Sequence, residues 1–374
     1  MCIIDDLMMP TELLYQLALT QVPNIGYVHT RTLVQHFGSA SAVFAAKQSL
    51  LEKIEGVGSV RAGSIKSFNK FKEAETEINF IGKYNIQPLF ITDAAYPKRL
   101  LHCYDAPALL FYKGTANLNA SKIVAIVGTR NNTEYGKHVT EKLVKDLSAH
   151  DLIIVSGLAY GIDAFAHKCS IKHDIPTVGV VGHGLDQIYP AAHSGLAKDM
   201  IKHGGGLLTE YKSTTPPDKH NFPGRNRIVA GISDATVLVE TGIKGGSMIT
   251  AEIANSYNRD VFAVPGKVTD TKSEGCNHLI KTNKAVLLTD AAELVSIMGW
   301  EEKKITSKKQ QKELFVELSD DEKAIVSLLQ QKESVHIDEI NLKSGMSTSA
   351  VAAAILNLEM QGIVRALPGK MYTM

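Results

Sequence analysis

Short apolar runs alternate with amphipathic stretches through the middle of the chain. Most of the runs are separated by helical patterns such as EYGKHVTEKLVKDLSAH (134–150). Seven of them predict strands: KIVAIVG (122–128), LIIVSG (152–157), PTVGVVG (176–182), GGLLTE (205–210), ATVLVE (235–240), DVFAVPG (260–266) and AVLLTD (285–290). Nearly continuous apolar strands between helices are typical of a parallel sheet covered on both faces. We therefore predict an α/β fold whose central domain is extended, Rossmann-like and built on a parallel-rich sheet.

The N-terminal region has a different pattern, with short helices broken by glycine turns over residues 10–80. Two of these turns, VPNIG (22–26) and IEGVGSVRAGSI (54–65), open helical stretches in the way that helix-hairpin-helix elements present backbone N–H groups to a phosphate. The same two sequences are equally consistent with plain glycine turns between packed helices. We predict a small helical domain of the helix-hairpin-helix or SAM-like kind, and the sequence leaves its contact with DNA open.

The C-terminal region predicts a winged helix. A polar segment, 301–313, precedes three helical patterns at 318–331, 336–345 and 347–362, and a Pro-Gly turn then separates two short strands. Ser319 and Asp320 are the candidate N-caps of the first helix. The expected recognition helix has no Lys or Arg, so we predict that this module contacts protein rather than DNA.

These patterns divide the chain into four regions. We predict a helical domain over 1–85, a Rossmann-like domain over 86–300, a linker over 301–315 and a winged helix over 316–374. A chain of 374 residues is long enough for two or three domains.

Composition narrows the class of protein. Four dispersed cysteines and 13 histidines show no zinc-ligand spacing, so we predict neither a metal site nor a cofactor. No apolar run reaches the roughly 18 residues that span a bilayer, and the first residues carry acids where a secretory signal carries bases. We therefore expect a cytoplasmic protein with no membrane partner. Its net charge of +1 requires that any cations for nucleic acid be gathered locally.

Glycine turns at the predicted strand ends provide candidate anion-binding residues. Gly128 allows close backbone approach, Thr129 adds a hydroxyl, and Arg130 supplies a forked cation suited to phosphate. Ser156 and Gly157 end the next strand. Asp163 lies shortly after them, and we favour a helix cap over ligand contact for it. Further along the chain, Gly246 and Ser247 open a helix whose N-terminus attracts anions.

The segment 212–227 is the most informative. It holds four bases and one acid around an aromatic residue, and its candidate DNA-binding residues are Lys219, Phe222, Arg225, Asn226 and Arg227. Cations beside an exposed ring on which bases stack are typical of single-strand binding. The alternative is that the ring fills core and the arginines pair with acids, above all Arg227, which stands at a helix start.

Taken in order, these motifs resemble the DNA-processing protein A (DprA/Smf) family. The matching series is VGTR (127–130), SGLAYGID (156–163), GHGLDQIYP (182–190), FPGRNRI (222–228), GGSMITAE (245–252), VFAVPG (261–266) and GCNHLI (275–280). The resemblance implies a cytoplasmic protein that binds and protects single-stranded DNA, loads RecA recombinase onto it in natural transformation, forms a homodimer through the Rossmann-like domain and has no known catalytic reaction. It also implies that Arg130 grips phosphate, that Lys219 lies in the pocket and that Phe222 stacks on a base.

Two enzyme classes are the alternatives. GGSMITAE (245–252) is similar to the loop of phosphoribohydrolases that cleave nucleoside monophosphates, with Glu252 at the corresponding spacing. The second glycine and the threonine of that loop are replaced by Met248 and Ile249, and no second catalytic group is found. A Rossmann dehydrogenase would need a GxGxxG turn, which is missing. We therefore predict a binding protein without enzymatic activity.

Overall fold

The computed structural model describes residues 11–301 and 318–374. They form two compact units, divided between residues 291 and 292. The domain limits that the sequence suggests remain a prediction. The first unit contains the helical N-terminal region and the central sheet, and the second contains the C-terminal module.

The N-terminal region is helical, as predicted. Between residues 11 and 83, its six helices are α1 (Thr11–Gln21), α2 (Tyr27–Phe37), α3 (Ala40–Ala45), α4 (Gln48–Leu51), α5 (Gly58–Lys66) and α6 (Phe71–Lys83). Leu17 and Leu33 belong to the same buried cluster as Leu110 and Val178 of the central sheet, so this region shares one core with the sheet. The side chain of Arg61 donates to the carbonyls of both glycine turns, 3.0 Å to Asn24 O and 2.8 Å to Gly56 O.

A single sheet runs through residues 87–287. Its nine strands in that range are β1 (Gln87–Phe90), β2 (Leu109–Gly114), β3 (Ile123–Val127), β4 (Ile153–Ser156), β5 (Thr177–Val180), β6 (Gly206–Thr209), β7 (Ala235–Leu238), β8 (Asp260–Ala263) and β9 (Val286–Leu287). The order across the sheet is β1-β2-β6-β5-β4-β3-β7-β8-β9. Strands β3 to β9 pair in parallel, whereas β1 and β2 add an antiparallel edge. The α/β prediction is confirmed, although β1 and β2 were not expected.

Helices connect the strands and cover the sheet. In the same range they are α7 (Lys98–Leu101), α8 (Glu134–Leu147), α9 (Ile162–Lys172), α10 (Ser194–Lys202), α11 (Asn221–Ile232), α12 (Gly246–Ser256) and α13 (Glu274–Lys281), and a short 3₁₀ helix spans Ala191–His193. All five residues of β3 are buried, which is why this strand reads as an unbroken apolar run. Helix α8 begins where the Thr133 hydroxyl accepts from Gly136 N, at 3.2 Å.

The strand order creates one switch point in the topology. From β3 the chain builds outward on one side through β4, β5 and β6, and then returns to the other side of β3 with β7, β8 and β9. The loops that leave the carboxyl ends of β3 and β7 therefore diverge. In open α/β sheets, a ligand-binding crevice forms at such a point.

The second unit contains the predicted winged helix. Its helices are α14 (Ala291–Ile297), which begins at the boundary, α15 (Asp320–Leu329), α16 (Ile337–Ser344) and α17 (Thr348–Met360). Ser319 caps α15 and forms a reciprocal capping box with Glu322, as its sequence position predicts. Within residues 318–374 the sheet has three strands, β10 (Val335–His336), β11 (Arg365–Leu367) and β12 (Met371–Thr373), in the order β10-β12-β11. Only the last two were predicted, because β10 is two residues long.

Candidate nucleic-acid interface

A pocket of about 480 Å³ lies at the switch point. The loops after β3, β4 and β7 and the start of α11 form its walls. Ten of the twelve residues predicted for the site line it: Gly128, Thr129, Arg130, Gly157, Lys219, Phe222, Arg225, Asn226, Gly246 and Ser247. Among the described residues, the charged groups of the lining are the cations Arg130, Lys219 and Arg225 and the carboxylate Asp163. The pocket is therefore suited to an anion.

The loop that carries Arg130 is held by a buried acid. Glu240 is fully buried at the end of β7. Its carbonyl accepts from Thr129 N at 2.6 Å, and its carboxylate accepts from Thr133 N at 2.9 Å and from the Thr133 hydroxyl. The loop is thus tied down on both sides of Arg130, whose side chain is exposed. Glu240 was not identified from the sequence as the residue that holds this loop. Its position as an acid at the end of the apolar run 235–240 could have indicated such a role.

Phe222 projects from the first turn of α11. Pro223 follows it there, in the part of a helix that tolerates proline. The ring is half-buried, and the guanidinium of Arg130 lies 5.5 Å from its centroid. A cation at this distance from an aromatic ring is attracted to it. The structure therefore places the ring in the pocket beside an exposed cation rather than in the interior of the core.

Lys219 stands just before α11 and is exposed. The turn that carries it is closed by Asp218, whose side chain accepts from His220 N at 2.7 Å. Lys219 and Arg130 come from loops 89 positions apart in sequence, and both line the pocket beside the ring. Two exposed cations next to an aromatic face match the requirements for a phosphate and its attached base.

Arg225 also lines the pocket, but its role in the structure differs from the predicted one. Its guanidinium is buried and donates to the carbonyls of Gly157 and Val180. A Cβ added at Gly157 would lie 2.5 Å from Arg225 Nη1 and 2.6 Å from Asp163 Oδ2, so only glycine fits between these opposite charges. Arg225 is therefore part of the pocket's frame, since its Nη1 donates to two backbone carbonyls and its Nε to Asn226 Oδ1.

Asp163 is a buried carboxylate that faces this arginine across Gly157. It does not cap α9, whose N-cap is Gly161, and instead its carboxylate accepts from Gly157 N at 3.1 Å. Burial raises the pKa of Asp163, and the neighbouring Arg225 guanidinium and backbone N–H groups oppose that rise. The sequence preference for a capping role was wrong, because Asp163 is the second residue of α9 and its carboxylate turns back to the loop after β4.

The first turn of α12 supplies the opposite wall. Its leading residues, Gly246 and Ser247, line the pocket, and the first N–H groups of a helix have no partner within it. The Ser247 hydroxyl donates to Thr241 Oγ1 at 2.7 Å, so this side chain braces the loop. Backbone N–H groups and the helix dipole are what this wall offers to an anion. Asn226 reaches across from α11, with its Nδ2 3.4 Å from Gly246 O.

Two predicted site residues point elsewhere. Ser156 is buried, and its hydroxyl donates 2.6 Å to Ile126 O, which joins β4 to β3. Arg227 pairs with Glu210, donates to Asp105 O and lies 5.0 Å from the Tyr27 ring. Its charge is thus satisfied within the fold. The structure does not bring either side chain into the pocket.

The acid on which the phosphoribohydrolase alternative depends lies away from the pocket. Glu252 is exposed on α12 and does not line the pocket. Residues 11–301 and 318–374 contain no cluster of three or more side chains able to hold a metal ion. None of the helices described in those ranges is both long and apolar enough to cross a bilayer.

The fold and the pocket define a class: Rossmann-like proteins whose pocket, at the switch point of a parallel sheet, is lined by cations and a helix N-terminus, an arrangement suited to an anion. Comparison with known proteins names the family. Residues 87–299 match the model for DNA recombination-mediator protein A, and residues 311–370 match the DprA winged helix domain. The chain belongs to the DNA-processing protein A (DprA/Smf) family.

Individual relatives agree with this assignment. Protein Smf of Synechocystis is 32% identical over 97% of this chain and 98% of its own length. The X-ray structure of DprA from Streptococcus pneumoniae is 34% identical, covers 75% of this chain and 95% of that one, and has a TM-score of 0.60. DNA processing protein A from Helicobacter pylori is 28% identical, covers 57% of this chain and 95% of that one, and has a TM-score of 0.52.

Proposed function

We propose that this protein binds single-stranded DNA in the pocket at the switch point and passes it to RecA recombinase in natural transformation and recombination. The observation that carries the proposal is the placement of exposed Arg130 and Lys219 beside the half-buried ring of Phe222. The family resemblance supports delivery to RecA, a homodimer formed through the Rossmann-like domain, and action in the cytoplasm. Residues 86–300 are the DNA-binding domain in this proposal, and 316–374 contact protein.

The pocket favours a single strand over a duplex. A cavity of about 480 Å³ admits an unpaired nucleotide, whereas duplex bases are already stacked and paired inside the helix. A ring also accepts any base, because every base has a π face. The Helicobacter pylori relative is described as having a unique single-stranded DNA binding mode, which supports the same ligand here.

A binding role is proposed in preference to an enzymatic one. Hydrolysis of a nucleoside monophosphate needs a free acid or base beside the scissile bond. The carboxylate in the described lining is Asp163, which is committed to Gly157 N and faces Arg225, while Glu252 lies outside the pocket. Incubation with nucleoside monophosphates should therefore release no free base, and base release that is lost in Glu252→Gln would favour the phosphoribohydrolase instead.

The direct test is a salt series of binding to single- and double-stranded oligonucleotides. We expect tighter binding to single strands with little sequence preference. In Arg130→Ala and Lys219→Ala the slope of log K against log salt should become shallower by about 0.7 per lost phosphate contact. Lys198→Ala is the matched control, because Lys198 is exposed on α10 and outside the pocket. Equal affinity for both forms of DNA at matched salt would refute the proposal.

A further inference from the structure

A second aromatic ring stands next to the pocket. Tyr189 is the next-to-last residue of the segment 182–190, which follows β5, and it is 46% exposed. Its ring centroid lies 6.0 Å from that of Phe222, and the two ring planes are inclined by 31°. The two rings therefore form an open wedge rather than a closely stacked pair.

The backbone at Tyr189 is fixed by a buried histidine. His183 is 1% exposed, and its Nδ1 lies 2.8 Å from Gly184 O. Because a carbonyl only accepts, Nδ1 carries the proton, and Nε2 accepts from Tyr189 N at 3.1 Å. The backbone of Tyr189 is thus held by a buried side chain, whereas its ring is exposed at the surface.

The same segment also anchors the helix that carries Phe222. Asn221 Nδ2 donates 3.1 Å to Gly182 O, and a Cβ at Gly182 would lie 3.3 Å from the Phe222 ring. The positions of both rings therefore depend on the same segment, 182–190. Preorganised rings lose little conformational entropy when a ligand enters between them.

We propose that Tyr189 is the second wall of the stacking site and that one base of the single strand inserts between Tyr189 and Phe222. This inference rests on the proposed function. A base between two parallel rings needs about 7 Å, twice the ~3.4 Å spacing of stacked nucleotides. The wedge is about 1 Å narrower than that, so in this proposal the Tyr189 ring, which is 46% exposed, turns outward to admit the base. Arg130 and Lys219, which line the pocket with Phe222, then hold the phosphates.

The test compares three tyrosine variants by single-strand affinity at fixed salt. Tyr189→Leu should weaken binding by at least about fivefold, since each stacked base contributes a loss of that order or more. Tyr189→Phe should bind like the wild type, because it keeps the π face. Tyr84→Leu is the matched control: Tyr84 is 42% exposed, its ring lies 4.7 Å from that of Phe80, and it is outside the pocket. This control should leave affinity unchanged.

A second measurement asks whether both rings contact the same base. Oligonucleotides with 2-aminopurine at one position at a time report stacking as fluorescence quenching. The position whose quenching is relieved by Phe222→Leu should also be relieved by Tyr189→Leu. If the two variants relieved quenching at different positions, a single base would not lie between the two rings. The proposal would also be wrong if Tyr189→Leu kept wild-type affinity and quenching.

Failure of this inference is distinguishable from failure of the proposed function. If Arg130→Ala and Phe222→Leu weaken binding while Tyr189→Leu does not, DNA binding in the pocket is supported and the stacking role of Tyr189 is wrong. If the wild-type protein shows no preference for single strands, both proposals are wrong. Unchanged melting of Tyr189→Leu confirms that a lost affinity reflects the ring and not the fold.

Discussion

Replacing Arg225 by methionine tests whether this arginine is part of the pocket's frame or a contact to DNA. Methionine has a similar length and no charge. The change would leave the buried Asp163 carboxylate without its cation and the carbonyls of Gly157 and Val180 without a donor. Removing the cation that compensates a buried carboxylate costs about 3–5 kcal/mol of folding free energy, because an uncompensated charge stays inside the protein.

The loss is large enough to measure in two ways. At roughly 2–4 °C per kcal/mol for a domain of this size, the melting temperature should fall by about 6–20 °C. Arg225→Lys should also destabilise, since an ammonium group does not reproduce the planar fork that reaches two carbonyls. Denaturant titration, thermal melting and single-strand binding should be measured on the same samples.

Arg130→Met is the matched control, because it makes the same substitution at an exposed position in the same pocket. We expect its stability to change by less than about 0.5 kcal/mol. Its affinity should fall, with a salt slope shallower by about 0.7. If Arg225→Met melted like the wild type and showed that same change in salt slope, Arg225 would be a phosphate contact and the structural role assigned to it would be wrong.

Three further changes test other parts of the structure. Phe222→Ala should cost about 1–3 kcal/mol of single-strand affinity with an unchanged salt slope. If it instead lowered the free energy of unfolding by about 3–5 kcal/mol, as truncation of a core phenylalanine does, the ring would be a core residue and not a stacking surface. Burial lowers the pKa of His167 from 6.5 to about 3, so the unfolded chain takes up a proton that the folded one does not. This group should make the unfolding free energy fall by up to about 1.4 kcal/mol per pH unit as pH drops below 6.5. In His167→Gln the slope of unfolding free energy against pH, measured from denaturant midpoints, should be shallower by that amount, and an unchanged slope contradicts the assignment. Deleting 316–374 should leave single-strand affinity within about tenfold, and a greater loss, above roughly 1.4 kcal/mol, would mean that the winged helix contacts DNA.

The acid dependence of His167 follows from its surroundings. Its Nδ1 lies 2.6 Å from the Thr177 oxygen, and the Thr177 hydroxyl donates onward to Ile154 O at 2.9 Å. Nδ1 therefore carries the proton, and the buried Nε2 has no hydrogen-bond partner in the described structure. Protonation would place an unpaired N–H and a charge in the core, which is why the neutral form is favoured.

Local patterns in the sequence determined the main elements and the position of the pocket. Strand β3 is recognisable as an apolar run because both of its faces are buried. Ser319 is recognisable as a helix cap because its side chain contacts Glu322, only three residues further along the chain. The glycine turns at the ends of β3, β4 and β7 marked the edge of the sheet where a ligand binds. Such signals depend on neighbours in the chain, so no tertiary contact is needed to see them.

The direction of each side chain was decided only by the tertiary structure. Arg130, Arg225 and Arg227 are all arginines near a glycine turn, yet one is exposed in the pocket, one is buried in its floor and one pairs with Glu210. The antiparallel edge formed by β1 and β2 was missed for the same reason, because it depends on pairing β2 with β6, about 95 residues away. A cation is available to a ligand only if distant segments of the chain do not place carbonyls or acids beside it. Those partners are not visible in the local sequence around the cation.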